Sequence, residues 1–201
     1  MSLPATHRAI IVGVDGSPVS KLAVDWAAHN AAMRNTALTV VHIQESPLLT
    51  NGAADPMLAP IPMLPAHLEL LENQGREILD DALKTVEAST KQAGPINVNT
   101  ESMTGSPVST LVDLSKNAEM VVVGGRDLGR LDRLLLGSVT TGLVHHAHCP
   151  VAVIHDKEPP IQLHPSKGPV VVGIDGSPAS ESATAIAFDQ ASRRGAELIA
   201  L

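Results

Sequence analysis

Residues 10–41, "IIVGVDGSPVSKLAVDWAAHNAAMRNTALTVV", align without a gap onto residues 170–201, "VVVGIDGSPASESATAIAFDQASRRGAELIAL". Gly13 falls on Gly173, Asp15 on Asp175, and the Gly-Ser-Pro of 16–18 on that of 176–178. Ala23, Ala27, Ala31, Arg34 and Leu38 recur as Ala183, Ala187, Ala191, Arg194 and Leu198. A repeat of this kind marks one supersecondary unit used twice, so the architecture of one copy constrains the other. The first copy opens on a short run of β-branched residues at 9–14, the pattern of a strand buried on both faces. Ser17 is then placed to cap a helix and Pro18 to occupy its first position, where a missing N–H costs nothing.

Beyond the first copy the alternation continues. "ALTVVHI" (37–43) predicts a second strand, and residues 65–92 a long helix after a connection at 47–65 that carries five prolines. A strand near 96–102 follows, then a helix over 106–117 with Ser106 capping and Pro107 behind it. "AEMVVVGG" is a strand, "SVTTGLVHHAH" a helix and "CPVAVIHD" a last strand. Five strands alternating with four helices predict an α/β fold, a doubly wound and mostly parallel five-stranded sheet with helices on both faces. The polar, proline-rich stretch after it divides the chain into a domain at 1–155, a linker at 156–168 and a second copy at 169–201. That copy supplies one strand, one helix and the start of another strand. It is expected to be the incomplete start of a second domain, unable to close a core alone.

Composition limits the functions open to such a fold. A net charge of −7 is the wrong sign for a partner made of phosphate backbone, so nucleic acid is not expected. The single cysteine, Cys149, excludes an intrachain disulfide and fits a cytoplasmic protein. The apolar run near the N-terminus is too short for a membrane span and lacks the basic start of a signal peptide.

In doubly wound sheets ligands bind beyond the carboxyl ends of the strands, where the strand order reverses. Asp15, Ile43 and the loop from Gly124 to Ser138 all fall there. Four motifs occur in order: "VGVDGSP", "VVHI", "VVVGG…LLLGSVT" and "HCPVAVI". On these the chain resembles the universal stress proteins, most closely their tandem two-domain type. The resemblance implies a Rossmann-like fold of the adenine nucleotide alpha hydrolase-like kind. It also implies that ATP, with or without Mg²⁺, binds as the signal of a stress-response regulator or sensor. By the same resemblance Asp15 bonds the ribose, Val14 and Ile43 lie near the adenine, and Gly124, Gly137, Ser138 and Val139 belong to the phosphate end.

One letter departs from the family pattern of Gly-x-x-Gly, nine residues, then Gly-Ser. Asp127 replaces the second glycine, with the spacing intact and Gly129 two residues later. A carboxylate about 4 Å from a phosphate repels it by ~1 kcal/mol in water and ~4 at an effective dielectric of 20. Arg126, Arg130 and Arg133, or a Mg²⁺ ion bridging Asp127 to the phosphates, would offset this. Two readings of different class therefore stand. One is the ATP-binding regulator. The other is a nucleotide-free dimerisation or interaction module, with pairing of chains through the last strand, Pro150–Ile154, since an uncovered apolar edge invites it. A weak ATPase is a third.

Plainer roles exist for the same residues. Asp15 could bond only backbone N–H groups in a strand-to-helix turn, Gly137 and Ser138 could be only a helix start, since Ser is a common N-cap, and Ile43 only core. "HHAHC" (145–149) places His145 and His148 one helical turn apart beside Cys149, but no second cluster with zinc-site spacing accompanies it, so no metal is expected. There is no Gly-x-Ser-x-Gly elbow and no complete Walker motif, so no catalytic residue is assigned.

Overall fold

Alternation along a strand sends successive side chains to opposite faces, and this divides the core in two. Strands β1 (Ile10–Val14), β2 (Leu38–Gln44) and β4 (Met120–Gly124) turn Ile10, Val12, Val14, Leu38, Val40 and Val122 to one face. There they meet helices α1 (Pro18–Arg34) and α2 (Pro65–Thr90). Ile11, Val41, Val121 and Val123 point the other way, toward α3 (Pro107–Ser115) and α4 (Ser138–His146). Full burial of such side chains stabilises by about 1.5–3 kcal/mol each relative to exposure. Strands β3 (Val98–Thr104) and β5 (Val151–Ile154) complete the sheet in the order β3-β2-β1-β4-β5, all neighbours parallel. This is the doubly wound α/β fold that the strand and helix alternation predicts.

The computed structural model describes residues 8–45, 65–91, 94–125, 137–155 and 168–201. They belong to two compact units, Met1–Asp156 and Lys157–Leu201. Most of the proline-rich connection at 47–65 and of the linker at 156–168 lies outside the described residues. The second unit pairs β6 (Val170–Val172) with β7 (Leu198–Ala200), parallel, and joins them through α5 (Pro178–Arg194).

Local chemistry explains the element ends. Ser17 caps α1, its hydroxyl accepting from the N–H of Ser20 at 3.1 Å with Pro18 in the first turn, as its sequence requires. Asn35 ends α1 in the left-handed conformation, φ 50°, which asparagine tolerates. Ser106 occupies the cap position of α3, as expected, although its side chain makes no capping hydrogen bond. Gly137 and Ser138 form the start of α4, with Gly137 as the cap and Ser138 as the first helical residue. β3 begins two residues later than expected, at Val98, and is mostly exposed, because it is an edge strand carrying Asn99, Thr100 and Glu101. Polar residues of this kind blunt a sheet edge against unwanted pairing.

Candidate functional site

The β1–β4 ladder runs from Ile10↔Met120 to Val12↔Val122 and ends there. β1 continues to Val14 against β2, and β4 continues to Gly124 against β5. The two central strands therefore part at their carboxyl ends, where the chain's winding reverses direction. A cleft of about 680 Å³ opens at that point. Such a crevice is the usual ligand position in this architecture.

The residues singled out from the sequence converge there. Val14 and Asp15 line the cleft from the end of β1, Ile43 from β2 and Gly124 from β4; Gly137, Ser138 and Val139 line it from the start of α4. Asp127 and Gly129, with Arg126, Arg130 and Arg133, lie outside the described residues. Sequence reasoning missed several lining residues. Gln44 and Glu45 extend the wall beyond Ile43, and Pro107 and Leu111 enter from α3. β2 ends at Gln44, one residue beyond the strand end expected at 43, and Glu45 follows it, so placing them on the wall needs the end of β2 fixed to one residue.

Three helix starts reach this cleft, those of α1, α3 and α4. The α3 start presents Pro107, which has no N–H to offer, and the other two differ from each other. The first turn of α1 is occupied: Ser17 caps Ser20, and the Ser20 hydroxyl donates to the Ser17 carbonyl at 2.9 Å. The start of α4 has Gly137 as its cap, and a glycine brings no side chain to the first-turn N–H groups. The positive end of the helix dipole makes such a start favourable for an anion. Packing holds the strand beneath in place. A Cβ at Gly124 would lie 3.1 Å from the backbone of Val19 and Ser20, so β4 approaches α1 as closely as only glycine permits.

Asp15 accepts from the N–H of Ser17 at 2.9 Å, bridging the turn between β1 and α1. Burial works to raise its pKa, but hydrogen bonds from Ser17 and Ser20 outweigh burial and hold the carboxyl below its ordinary value. Asp15 is thus ionised at neutral pH and can accept from hydroxyl donors. Glu45 is the other charged side chain among the described lining residues. Backbone N–H groups at one end and carboxylates at the other suit a ligand with an anionic end and a hydroxyl-bearing end.

Two other sequence features fall elsewhere. α4 ends at His146, so His148 lies beyond the helix. Cys149 is half-buried, and burial pushes its thiol pKa up, away from reactivity. Among the described residues no group of three or more His, Cys, Asp or Glu side chains could hold a metal ion, and no helix is long and apolar enough to cross a membrane.

Comparison with known proteins agrees with this architecture. Residues 6–155 match the Universal stress protein family. A universal stress protein of Mycobacterium tuberculosis is 47% identical over 204 residues, an alignment that takes in 100% of this chain and 65% of the relative. The chain thus spans about two thirds of the length of the curated relatives it matches. Among solved structures, universal stress protein UspA of Lactobacillus plantarum is 27% identical with a TM-score of 0.57, over 75% of this chain and 99% of that one. A universal stress protein solved in complex with cAMP is 25% identical with a TM-score of 0.51, over 75% of this chain and 98% of that one. With the family matched over most of its length and the crevice built as that fold requires, the chain belongs to the universal stress protein family.

Proposed function

We propose that the protein is a nucleotide-binding regulator of a stress response, taking an adenine nucleotide in the cleft between β1 and β4. The observation that carries this reading is the pairing, in one cleft, of the glycine-capped start of α4 with the ionised carboxylate of Asp15. The phosphates lie against the first turn of α4 at Gly137, Ser138 and Val139, and the ribose hydroxyls donate to Asp15. Val14 and Ile43 flank the base. The cAMP complex of a relative with the same fold supports an adenine nucleotide in this architecture. ATP, with Mg²⁺ to offset Asp127 and the two lining carboxylates, is the form we assign. No residue is assigned to catalysis, and turnover by the bound nucleotide is at most slow. A cytoplasmic setting suits the lone cysteine. The segment 169–201 we read as the start of a second domain of the same family.

A second reading keeps the fold and drops the ligand. Among the described residues β5 lies at the sheet edge with β4 as its one strand neighbour, and its four residues are each partly exposed. Pairing of two chains through Pro150–Ile154 would give a homodimer of an interaction module, and Asp127 favours that outcome by repelling phosphate.

Calorimetric titration of ATP with Mg²⁺, and separately of cAMP, into the parent, Asp15→Asn and Asp127→Gly separates the two. Micromolar binding by the parent, weakened by Asp15→Asn, is expected. Binding by Asp127→Gly alone would mean a site silenced by one charge. No binding by any of them, with a dimer by light scattering, would favour the interaction module.

A further inference from the structure

We infer that His42 is the positioning residue of the cleft, holding the end of β1 so that Asp15 faces the ligand. This rests on the nucleotide-binding reading above. Val14 is the last residue of β1, paired with His42 across the β2 ladder. On its other side the β1–β4 ladder has already ended at Val12↔Val122. The wall of the crevice is therefore a strand end that has lost one of its two neighbours, immediately before the residue that must be placed. Here the His42 ring takes over. Its Nδ1 lies 2.9 Å from the Val14 carbonyl oxygen, a buried bond that joins side chain to main chain across the two strands.

A carbonyl oxygen only accepts, so Nδ1 carries the proton and donates. His42 is itself buried, 8% exposed, so water does not compete for that bond. The ring has room because Gly75 faces it from α2: a Cβ there would stand 3.0 Å from His42 Cδ2. Hydrogen bonds made in a dry setting fix geometry more firmly than exposed ones. His42 is absent from the cleft lining, so its influence on a ligand passes through Val14 and the Asp15 turn.

Two variants test this against a purely structural role. Asparagine places an amide N–H close to where imidazole Nδ1 stands, whereas leucine fills the same buried space with no donor. Calorimetric titration of ATP with Mg²⁺ and of cAMP into parent, His42→Asn and His42→Leu, with the folded fraction of each measured by thermal melting, gives the comparison. The expected result is roughly five- to ten-fold weaker binding by His42→Leu, the range of one lost hydrogen bond, with most of the affinity recovered in His42→Asn. Nitrogen NMR of the parent imidazole is expected to show the proton on Nδ1. Equal affinity of all three folded proteins, or equal loss in both variants, overturns the positioning role and leaves nucleotide binding standing. No binding by the parent overturns both. If His42→Leu does not fold, His42→Gln, whose donor sits one bond further out, takes its place with the same expected loss.

Discussion

Asp15 and Asp175 occupy the same turn in two copies of one sequence, and the two turns are built alike. Each carboxylate accepts from the N–H two residues on, Ser17 or Ser177, at 2.9 Å. Each serine caps the following helix, at 3.1 Å in α1 and 3.2 Å in α5. Even the far ends agree: Asn35 and Gly195 close their helices in the left-handed conformation, at φ 50° and 59°. The surroundings differ. Asp15 lines a cleft whose other walls come from Ile43, Gly124 and Ser138, residues beyond the 32-residue repeat that ends at Val41. Burial opposes ionisation of Asp15, whereas Asp175 is fully exposed and the Ser177 hydrogen bonds dominate its lowered pKa. The Asp-Gly-Ser-Pro sequence is therefore a device for turning a strand into a helix. The residues that complete the cleft around Asp15 come from outside the repeat.

If that is right, the same substitution should cost more in the first copy wherever closure matters. The largest difference is expected at the matched leucines. Leu38 is fully buried, so Leu38→Ala should cost about 2–5 kcal/mol. Leu198 is partly exposed, and Leu198→Ala should cost well under that. Denaturant unfolding followed by Trp26, the lone tryptophan, reads the first; segment-resolved hydrogen exchange reads the second. Equal costs would break the comparison.

The next difference is smaller. Gly16 and Gly176 have φ of 82° and 78°, where an L side chain is strained. Alanine at either should cost about 1–2 kcal/mol on that ground alone. At Gly16 the added Cβ would also lie 3.1 Å from Ile78 Cγ1, while at Gly176 it meets nothing within 4 Å. Gly16→Ala should thus be the worse of the pair in thermal melting of each unit, by the amount that Ile78 fails to yield.

How far these features were legible in the sequence follows from the range of the forces that set them. The strand-turn-helix of each copy was plain because its causes are local: β-branched runs, a capping serine, a proline at the first turn. The convergence of Asp15, Ile43, Gly124 and Ser138 followed from the alternation of strands and helices, since parallel order brings all carboxyl ends to one edge. Three things were not legible. Gly137 rather than Ser138 caps α4, a choice between adjacent residues that depends on where the chain enters the helix. Glu45 adds a second carboxylate to the cleft, which needs the end of β2 fixed to one residue. His42 reads as an ordinary strand residue in "VVHIQ", and its bond to Val14 shows only once the two strands are in register.

Helix capping gives a sharper test because no difference is expected. Ser17→Ala and Ser177→Ala each remove one hydroxyl cap of nearly equal length. Each should cost about 1 kcal/mol, measured on its own unit by hydrogen exchange. A larger cost at Ser17, which lines the cleft, would show that the surroundings of the first copy also draw on this hydroxyl.

The smallest effect lies in the titration of the two aspartates. Both carboxyls are held below the ordinary value of 3.8 in the folded protein. The stability each contributes is therefore whole above the unfolded value and is lost as pH falls through the lower folded value. Unfolding measured between about pH 5 and pH 3 should show the parent losing stability as acid is added. Asp15→Asn should decline less steeply, since the amide oxygen still accepts from Ser17 without titrating. The order of the two titrations carries the comparison further. At Asp15 the walls of the cleft disfavour the charged form, and at Asp175 the hydrogen bonds act almost unopposed. Carboxyl-carbon NMR should therefore find Asp175 titrating below Asp15. The reverse order would mean that water reaches Asp15 as freely as it reaches Asp175, and that the cleft does not desolvate the group assigned to hold its ligand.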